Sequence, residues 1–478
     1  LEAPALGPTE ALELNADQQR ALDELNSPNA EGTYLLYGVT GSGKTEVYFE
    51  AIASALKASY QALVLLPEIA LSAQWLSRFE SRFGVRPAVW HSELGTAARR
   101  ENWRAICSGT TPLVVGARSA LFLPFAKLGL IVADEEHDAS YKQEEGVFYH
   151  ARDVAVMRGR LAEASVVLAS ATPSLESHYN ANSGRYQRVS LPDRHGQAKL
   201  PHVEAIDMRK EPPLRGRWIS PALDAAVRET IGVGEQVMLF LNRRGYAPLT
   251  LCRSCGFRLR CTNCTAWLVE HRLMGKLCCH HCGHAEEISK SCPECGSEAS
   301  LVACGPGVER LAEELTQVIP NARVKVMTSD TVATVRKAET LVGDMLAHRI
   351  DILIGTQMVT KGYHFPSLTL VGVVDADLGL SGGDLRAGER SVQLLSQVSG
   401  RAGREHKAGR VLLQSYMTEH PVMRALVEGD RDGFLAAELA GRSAARMPPF
   451  ARLAALIISS RMERLAANVA ADLARAAP

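Results

Sequence analysis

The feature that most constrains this chain is the stretch Gly38-Val39-Thr40-Gly41-Ser42-Gly43-Lys44-Thr45, with the pattern G-x-x-x-x-G-K-T. An apolar run ending in Tyr34-Leu35-Leu36-Tyr37 enters it, and a helix-like segment, Glu46 to Lys57, leaves it. Strand, glycine-rich loop and helix in that order form the context of a phosphate-binding loop. Around Gly38, Gly41, Ser42 and Gly43 the backbone N–H groups can turn inward on β- and γ-phosphates, and the following helix adds its positive end. Lys44 then neutralises phosphate charge, and Thr45 offers a hydroxyl to Mg²⁺. A glycine-rich turn preceding Lys-Thr by accident would lack the strand and the helix. Upstream, Asn15 is the expected N-cap of a helix beginning Ala16-Asp17-Gln18. Gln18 could read an adenine edge with both atoms of its amide; a plain polar helix start is the competing reading.

Downstream, apolar runs alternate with helix-like segments, which predicts a parallel-sheet α/β lobe. Ala62 to Leu66 reads as a strand buried on both faces, and Pro87–His91 and Leu113–Gly116 as shorter ones. Arg118 follows the last of these, at the carboxyl end, where such sheets bind ligands. Leu128–Ala133 runs directly into Asp134-Glu135-Glu136-His137, a Walker B pattern. There Asp134 would hold Mg²⁺ through water and Glu135 would polarise the attacking water. Next, Tyr141, Lys142, Phe148, Tyr149 and Arg152 interleave aromatic rings with cations in a segment too irregular for a helix. Rings stack on unpaired bases and cations take phosphates; rings that merely pack the loop down are the rival reading. After Val166–Ala169 comes Ser170-Ala171-Thr172. The pattern repeats beyond a Pro- and Arg-rich stretch, with Gln236–Leu241, Asp351–Ile354 ending in Gly355-Thr356-Gln357-Met358 before Lys361, Thr369–Val374, and Ser391 to Arg404.

The chain has 478 residues, too long for one ordinary domain at ~150 residues each. It carries 53 Lys+Arg and 53 Asp+Glu, so any nucleic-acid surface must be local. No apolar stretch reaches the ~20 residues of a membrane helix, and no signal-peptide pattern opens the chain. The expected divisions are 1–13 linker, 14–190 first lobe, 191–218 connection, 219–249 and 305–418 second lobe, 250–304 insertion, and 419–478 the start of a further domain. The chain begins at Leu1 rather than Met and stops inside a helical pattern, so it is expected to be part of something longer.

Nine of the 11 cysteines lie between Cys252 and Cys295, and eight of them form four C-x-x-C pairs. A P-loop implies cytosolic ATP and reduced thiols, so metal is a better reading than disulfides. Eight thiolates suffice for two closed tetrahedral zinc sites. Three pairings are possible. The Cys264 to Cys279 spacer is close to the zinc-ribbon length, which favours an inner site of Cys261, Cys264, Cys279 and Cys282. The outer site is then Cys252, Cys255, Cys292 and Cys295. Cys278 is left over, and His280, His281 and His284 are the alternatives as ligands. Arg243, Arg244, Arg253, Arg258, Arg260, Arg272 and Lys276 lie around the pairs, and over residues 243–276 the one carboxylate is Glu270. They form either a basic surface for nucleic acid or an acidic partner, or ordinary solvated charge.

The ordered set Asp-Glu-Glu-His, Ser-Ala-Thr, Gly-Thr-Gln-Met and Gln397-Val398-Ser399-Gly400-Arg401-Ala402-Gly403-Arg404 resembles a superfamily-two helicase with two RecA-like lobes. More closely, GVTGSGKTEVY, VADEEHDASYKQEEGVFYHARDVAV, LASATPSLE, LFLNRRGYAP, ILIGTQMVTKGYHFP and QVSGRAGR, with the four cysteine pairs after NRRGYAP, look like the bacterial replication-restart helicases of the PriA type (primosomal protein N′). The likeness runs from about Leu14 to the end. It implies an α/β fold of two RecA-like parallel-sheet lobes with a zinc-binding insertion in the second, and the same nested zinc pairing. It also implies an ATP-dependent DNA helicase moving 3′ to 5′ on single strands at stalled forks, with ATP, Mg²⁺ and two Zn²⁺. Gln397, Arg401 and Arg404 would reach the nucleotide from the second lobe. Arg118, Tyr141, Lys142, Phe148, Tyr149, Arg152, Thr356 and Lys361 would face DNA. Implied partners are single-stranded and forked DNA, primosome proteins, a single-stranded-DNA-binding protein and a replicative helicase loader, in a nucleoid-associated, cytoplasmic setting. The family's N-terminal fork-binding region is absent from this sequence. Departures are Ala117, where Gly-Thr-Arg-Ser-Ala is usual, and Tyr363, where His is common. Two rivals remain: an RNA helicase or duplex translocase of the same superfamily, and a DNA- and protein-binding platform with a vestigial ATPase, against which the intact Lys44, Asp134, Glu135, Arg401 and Arg404 argue.

Overall fold

A computed structural model describes residues 13–27, 32–67, 73–92, 94–194, 200–214, 216–241, 249–263, 267–271, 276–279, 282–289, 291–298, 300–304, 307–328, 331–332, 335–356, 359, 365–380, 384–403, 407–454, 456 and 458–476. The expected linker up to residue 12 lies outside them.

The first lobe contains β1 (Thr33–Gly38), β2 (Gln61–Leu65), β3 (Ala88–Trp90), β4 (Leu113–Gly116), β5 (Leu128–Asp134), the short hairpin β6 (Lys142–Gln143) and β7 (Tyr149–His150), β8 (Ser165–Ser170) and β9 (Gln187–Leu191). All but the hairpin form a seven-stranded parallel sheet in the order β3-β4-β2-β5-β8-β1-β9. The central strands are apolar on both faces because helices cover both. In β1, Tyr34 and Leu36 enter one core with Phe49, Ile52 and Phe79, while Leu35 enters the other with Ile131 and Leu168. Asn15 caps the helix Ala16–Leu25 in a reciprocal capping box with Gln18.

The second lobe contains β10 (His202–Asp207) and β11 (Gln236–Phe240). The insertion follows with β12 (Leu249–Cys252), β13 (Val269–His271), β14 (Lys276–Cys278), β15 (Ala285–Glu287) and β16 (Leu301–Cys304). The lobe resumes with β17 (Val324–Met327), β18 (Ile352–Gly355), β19 (Leu368–Val373) and β20 (Arg410–Ser415). Its six-stranded sheet, β10-β20-β19-β11-β18-β17, is parallel throughout. The insertion is an antiparallel sheet, β15-β14-β13-β12-β16.

Two features differ from the sequence-based divisions. The strand β10 belongs to the second sheet although it falls in the expected connection. It is an edge strand with mostly solvated residues, so it shows no apolar run. The segment after residue 418 is also part of the second lobe. Val422, Met423, Leu426, Phe434 and Leu435, from helices Pro421–Glu428 and Arg431–Ala444, sit in one core with Phe240, Val371 and Leu413.

Phe434→Ala should therefore destabilise the second lobe by about 3–5 kcal/mol, the usual loss for a core aromatic. A melting curve that left the second lobe's transition in place would show that residues 421–444 are a separate unit.

Candidate ATPase site, metal clusters and nucleic-acid surface

The P-loop turns from β1 into helix Lys44–Lys57 through two residues in the left-handed region, Gly41 (φ 86°) and Gly43 (φ 82°). A β-carbon on Gly43 would lie 2.0 Å from the Gln18 Nε2, so only glycine fits. The Gln18 amide is held from both ends: its Oε1 accepts from the Asn15 N–H (3.0 Å) and its Nε2 donates to the Ser42 carbonyl (3.0 Å). It thus braces the loop from beneath. Lys44 Nζ donates to the carbonyls of Gly38 (2.8 Å) and Val39 (3.2 Å). Burial pulls the Lys44 pKa down, opposed by the nearby Glu135 and Asp134 carboxylates.

Those carboxylates stand at the carboxyl end of β5. Asp134 is fixed by the Tyr48 hydroxyl, which donates to its Oδ2 (3.0 Å) and accepts from Trp75 Nε1 (2.9 Å). Burial, with the Glu135 charge beside it, raises the Asp134 pKa to about 6. Glu135 sits at φ 49°, a conformation non-glycine residues seldom adopt. Its Oε2 is buried with no hydrogen-bond partner among the described residues. A lysine, two converging carboxylates with one oxygen unsatisfied, and Thr45 at the helix start suit a magnesium–nucleotide complex.

His137 was not singled out by sequence reasoning, although it ends the Asp-Glu-Glu-His motif. Its Nδ1 lies 2.8 Å from Ser170 Oγ, and its Nε2 lies 3.0 Å from Gln397 Nε2 and 3.4 Å from Thr172 Oγ1. Because the Gln397 amide nitrogen can only donate, His137 Nε2 accepts and Nδ1–H donates to Ser170. One imidazole thus joins the Walker B motif and the Ser-Ala-Thr motif of the first lobe to the second lobe, 3.7 Å from the Glu135 carboxylate. Glu136 is wholly buried and accepts from the Ser174 N–H (2.7 Å), Ser177 Oγ (2.9 Å) and Arg152 Nη1 (3.3 Å).

The lobes also meet at Gly400, where a β-carbon would lie 2.8 Å from Thr40 Cγ2 of the P-loop. Arg401 follows directly, so it lies at the cleft; Arg404 falls outside the described residues. Arg194, leaving β9, donates to the Gly403 carbonyl (2.9 Å). Nearby, the Leu175 N–H donates to Glu389 Oε1 (3.0 Å), and Arg386 pairs with Glu176. Burial would raise the Glu176 pKa, but Arg386 holds the carboxyl at about 2.

The residues expected to contact DNA divide sharply. Tyr141 is fully buried, and its hydroxyl donates toward the carbonyls of Asp134 (2.7 Å) and Leu65 (2.9 Å). It has no ring face for a base and belongs instead to the support of the Walker B turn. Arg152 is also buried; burial opposes its charge, but Glu136 and Asp153 more than offset this. It is a structural anchor, not a phosphate contact. Arg118 Nη1 donates to the carbonyls of Ser140 and Lys142 (both 2.8 Å), shaping the loop from below. The segment between is a hairpin, with Lys142 opposite His150 and Gln143 opposite Tyr149. Phe148 near its tip is 72% exposed, Lys142 is exposed, and Tyr149 is half-buried with its ring edge-on to Phe122. Thr356 follows β18, and its carbonyl accepts from Val359 N–H (3.1 Å); Lys361 and Tyr363 lie outside the described residues.

In the insertion, the Sγ atoms of Cys252, Cys255, Cys292 and Cys295 lie within 4.8 Å of one another, as do those of Cys261, Cys279 and Cys282. Each cluster could hold a metal ion, and the grouping is the nested one. Cys264, His280 and His281 fall outside the described residues. Cys278 pairs within the sheet, and His284 turns to Glu286. Of the surrounding cations, Arg258 is buried against Asp375 (2.8 Å), Arg253 lies over Trp218 and Lys276 is exposed. Arg243, Arg244 and Arg272 lie outside the described residues.

Residues 15–180 match the family model of the DEAD/DEAH box helicases. Solved structures share the fold. A DUF1998 helicase MrfA bound to DNA matches with TM-score 0.54 at 14% identity, over 88% of this chain and 51% of its own. RecG bound to a three-way DNA junction matches with TM-score 0.53 at 16% identity, over 96% and 50%. The two-lobed fold, the motif order and the DEAD/DEAH box helicase match over residues 15–180 together describe an ATP-dependent helicase. The chain is 48% identical over 466 residues to the replication restart protein PriA of Rickettsia conorii, covering 98% of this chain and 72% of that protein. It is 43% identical over 470 residues to that of Bacillus subtilis, covering 98% and 58%. The chain belongs to the PriA family of replication restart helicases. Among the described residues no helix is long and apolar enough to cross a membrane.

Tyr141→Phe tests the revised placement. Removing the hydroxyl from two buried carbonyls should cost about 1–3 kcal/mol of stability. Fluorescence anisotropy should show single-stranded DNA affinity unchanged; a large loss of affinity without a fall in melting temperature would return Tyr141 to the DNA surface.

Proposed function

We propose that this chain hydrolyses ATP in the cleft between its lobes and uses the cycle to move 3′ to 5′ on single-stranded DNA at stalled forks. The observation that carries the proposal is the Gln397–His137 bond, by which a second-lobe motif reaches the Walker B turn. Gly38, Gly41, Ser42, Gly43, Lys44 and Thr45 would bind the nucleotide, with Asp134 holding magnesium; Gln18, expected from the sequence to read the adenine, instead has both ends of its amide engaged in bracing the loop. When bound, that ion neutralises charge on the β- and γ-phosphates. Glu135 polarises the attacking water, and its unsatisfied, buried oxygen suits that task. Arg401 and Arg404 add positive charge from the second lobe as the cleft closes. Phe148 and Tyr149 are the base-stacking candidates, with Lys142, Thr356 and Lys361 along the strand. The hairpin that carries the two rings leads directly from the Walker B turn, so a stacked base can shift the catalytic carboxylate. Primosome proteins, a single-stranded-DNA-binding protein and a replicative helicase loader are the proposed protein partners, at the nucleoid.

ATP turnover with and without single-stranded DNA tests this reading. The parent should be strongly stimulated, Glu135→Gln should bind ATP but not turn it over, and the Phe148→Ala/Tyr149→Ala pair should keep basal turnover and lose the stimulation. Base–aromatic stacking is worth ~1–3 kcal/mol per base, enough to bias a loop between two positions. Parental turnover by Glu135→Gln would overturn the site. Displacement of RNA-tailed as readily as DNA-tailed duplexes would favour the RNA-helicase reading.

Two structural zinc ions, one in each thiol cluster, are proposed for the insertion, with Cys264 completing the inner set. Zinc thiolate ligation supplies on the order of 10 kcal/mol of local folding free energy. Elemental analysis should find two zinc ions per parent chain and one after Cys261→Ser, with ATPase retained better than unwinding. Less than one zinc in the parent would sink the assignment.

A further inference from the structure

The helix Arg431–Ala444 packs its Phe434 and Leu435 into the second-lobe core, yet its first turn grips the first lobe. Arg431 Nη1 donates to the Ala171 carbonyl at 2.9 Å. The Tyr37 hydroxyl donates to Asp432 Oδ1 at 3.2 Å, and the other Asp432 oxygen lies 3.5 Å from the Arg188 guanidinium, which itself covers the Tyr37 ring at 4.7 Å. The turn is held in shape by Asp430, whose side chain accepts from the Gly433 N–H at 2.9 Å.

Both gripped points matter for the nucleotide. Tyr37 is the penultimate residue of β1, immediately before Gly38 of the P-loop. Ala171 lies between Ser170 and Thr172, the two side chains that flank His137 from the first lobe. Ser170 Oγ also accepts from the Thr172 N–H at 2.9 Å, so the two are one rigid turn around Ala171. The Gln393 amide reaches the Thr172 and Pro173 carbonyls from the second-lobe helix, both at 3.4 Å, which places the turn between two second-lobe donors. Movement of the Ala171 carbonyl would therefore carry the imidazole, and the imidazole lies against the Glu135 carboxylate.

We infer that Arg431 is a positioning residue for ATP hydrolysis: by fixing the Ala171 carbonyl it sets His137 against Glu135, so that the helix after the second lobe controls the geometry of the catalytic carboxylate. The inference rests on the hydrolytic role of Glu135 proposed above. It also explains why a helix belonging to one lobe ends on the other with an arginine rather than with an apolar residue: a guanidinium can hold a carbonyl across a gap that is remade in every cycle. The same guanidinium is close enough to Lys44 to add, after burial, to the lowering of that ammonium's pKa.

The test is steady-state ATPase at saturating single-stranded DNA for the parent, Arg431→Ala, Arg431→Lys and Glu135→Gln, each with a melting curve. Arg431→Ala should lower kcat about tenfold, the scale seen when a group that orients a catalytic side chain is lost, with the KM for ATP within about twofold and the melting temperature little changed. Arg431→Lys, which can still donate to the carbonyl, should recover most of the loss. Parental kcat in Arg431→Ala would overturn the inference. So would a fall in kcat that tracks a lower melting temperature and is not rescued by lysine, because that is the behaviour of a purely structural contact. If Glu135→Gln turns over at the parental rate, the proposed site fails; if it is inactive while Arg431→Ala is parental, the positioning role alone fails.

Discussion

The hydrogen bond from Gln397 to His137 is the contact on which the rest of the assembly depends. Each sheet of the two lobes is parallel, so each lobe brings its loops together at one edge, and the two edges face each other across this bond. The first lobe gathers Lys44, Asp134 and Glu135 at its edge, and the second brings Gln397 to His137 beside them. A neutral hydrogen bond contributes only about 0.5–1.5 kcal/mol net. With so small a value the joint can form and break without a large free-energy change. The contacts around it are graded in the same sense: the Arg386–Glu176 pair is half-buried, while Gly400 meets Thr40 through shape alone.

How far the chain could be read without coordinates follows from where each residue sits in its sheet. The central strands β1, β2, β5, β8, β11 and β19 are largely apolar on both faces, and β1, β5 and β8 run into recognisable motifs, so these strands and the loops after those three were legible. The edge strands β9 and β10 were not, because an edge strand wets half its residues and loses its apolar signature. The lobe boundary was misplaced for the related reason that helices Pro421–Glu428 and Arg431–Ala444 lie beyond the last strand, where pattern alone cannot say which core they fill.

Side chains near the motifs were harder still. Tyr141 and Phe148 stand seven residues apart in one aromatic stretch, yet one is buried beneath the Walker B turn and the other projects into solvent. The difference is set by the 3₁₀ turn at Ala139–Tyr141, capped by Asp138, which drives the Tyr141 ring inward before the hairpin begins. Arg152 likewise has a partner, Glu136, that no spacing rule would nominate, since the pair is made across a helix start and a strand end. His137 shows the converse: it stood in plain view as the last letter of a motif, but its role needs Gln397, more than two hundred and fifty residues away.

The insertion shows why thiols matter where apolar area is scarce. Among the described residues its core is Leu259, Leu268 and Leu277 with Cys261 and Cys279, so two of the five members are cysteines from the inner cluster. A core so small cannot offset the entropy of ordering the surrounding chain, and small modules of this kind need a crosslink or a metal. Metal ligation at the two clusters would therefore do for the insertion what aliphatic packing does for the lobes. The module is also anchored at its base. Arg258, stacked on Trp267, reaches Asp375 and Asp377 just beyond β19, and Gly256 packs against Tyr416 just beyond β20. Burial, with Asp375 beside it, lifts the Asp377 pKa to about 6, and Arg258 acts against that rise. An ion pair of this kind is costly to bury unless its geometry is well satisfied, and here Ser415 Oγ and the Tyr416 N–H complete the Asp377 carboxylate. The insertion thus leaves the second lobe through a fixed joint at the carboxyl ends of its strands, so a rotation of that lobe carries the cysteine-bearing sheet with it.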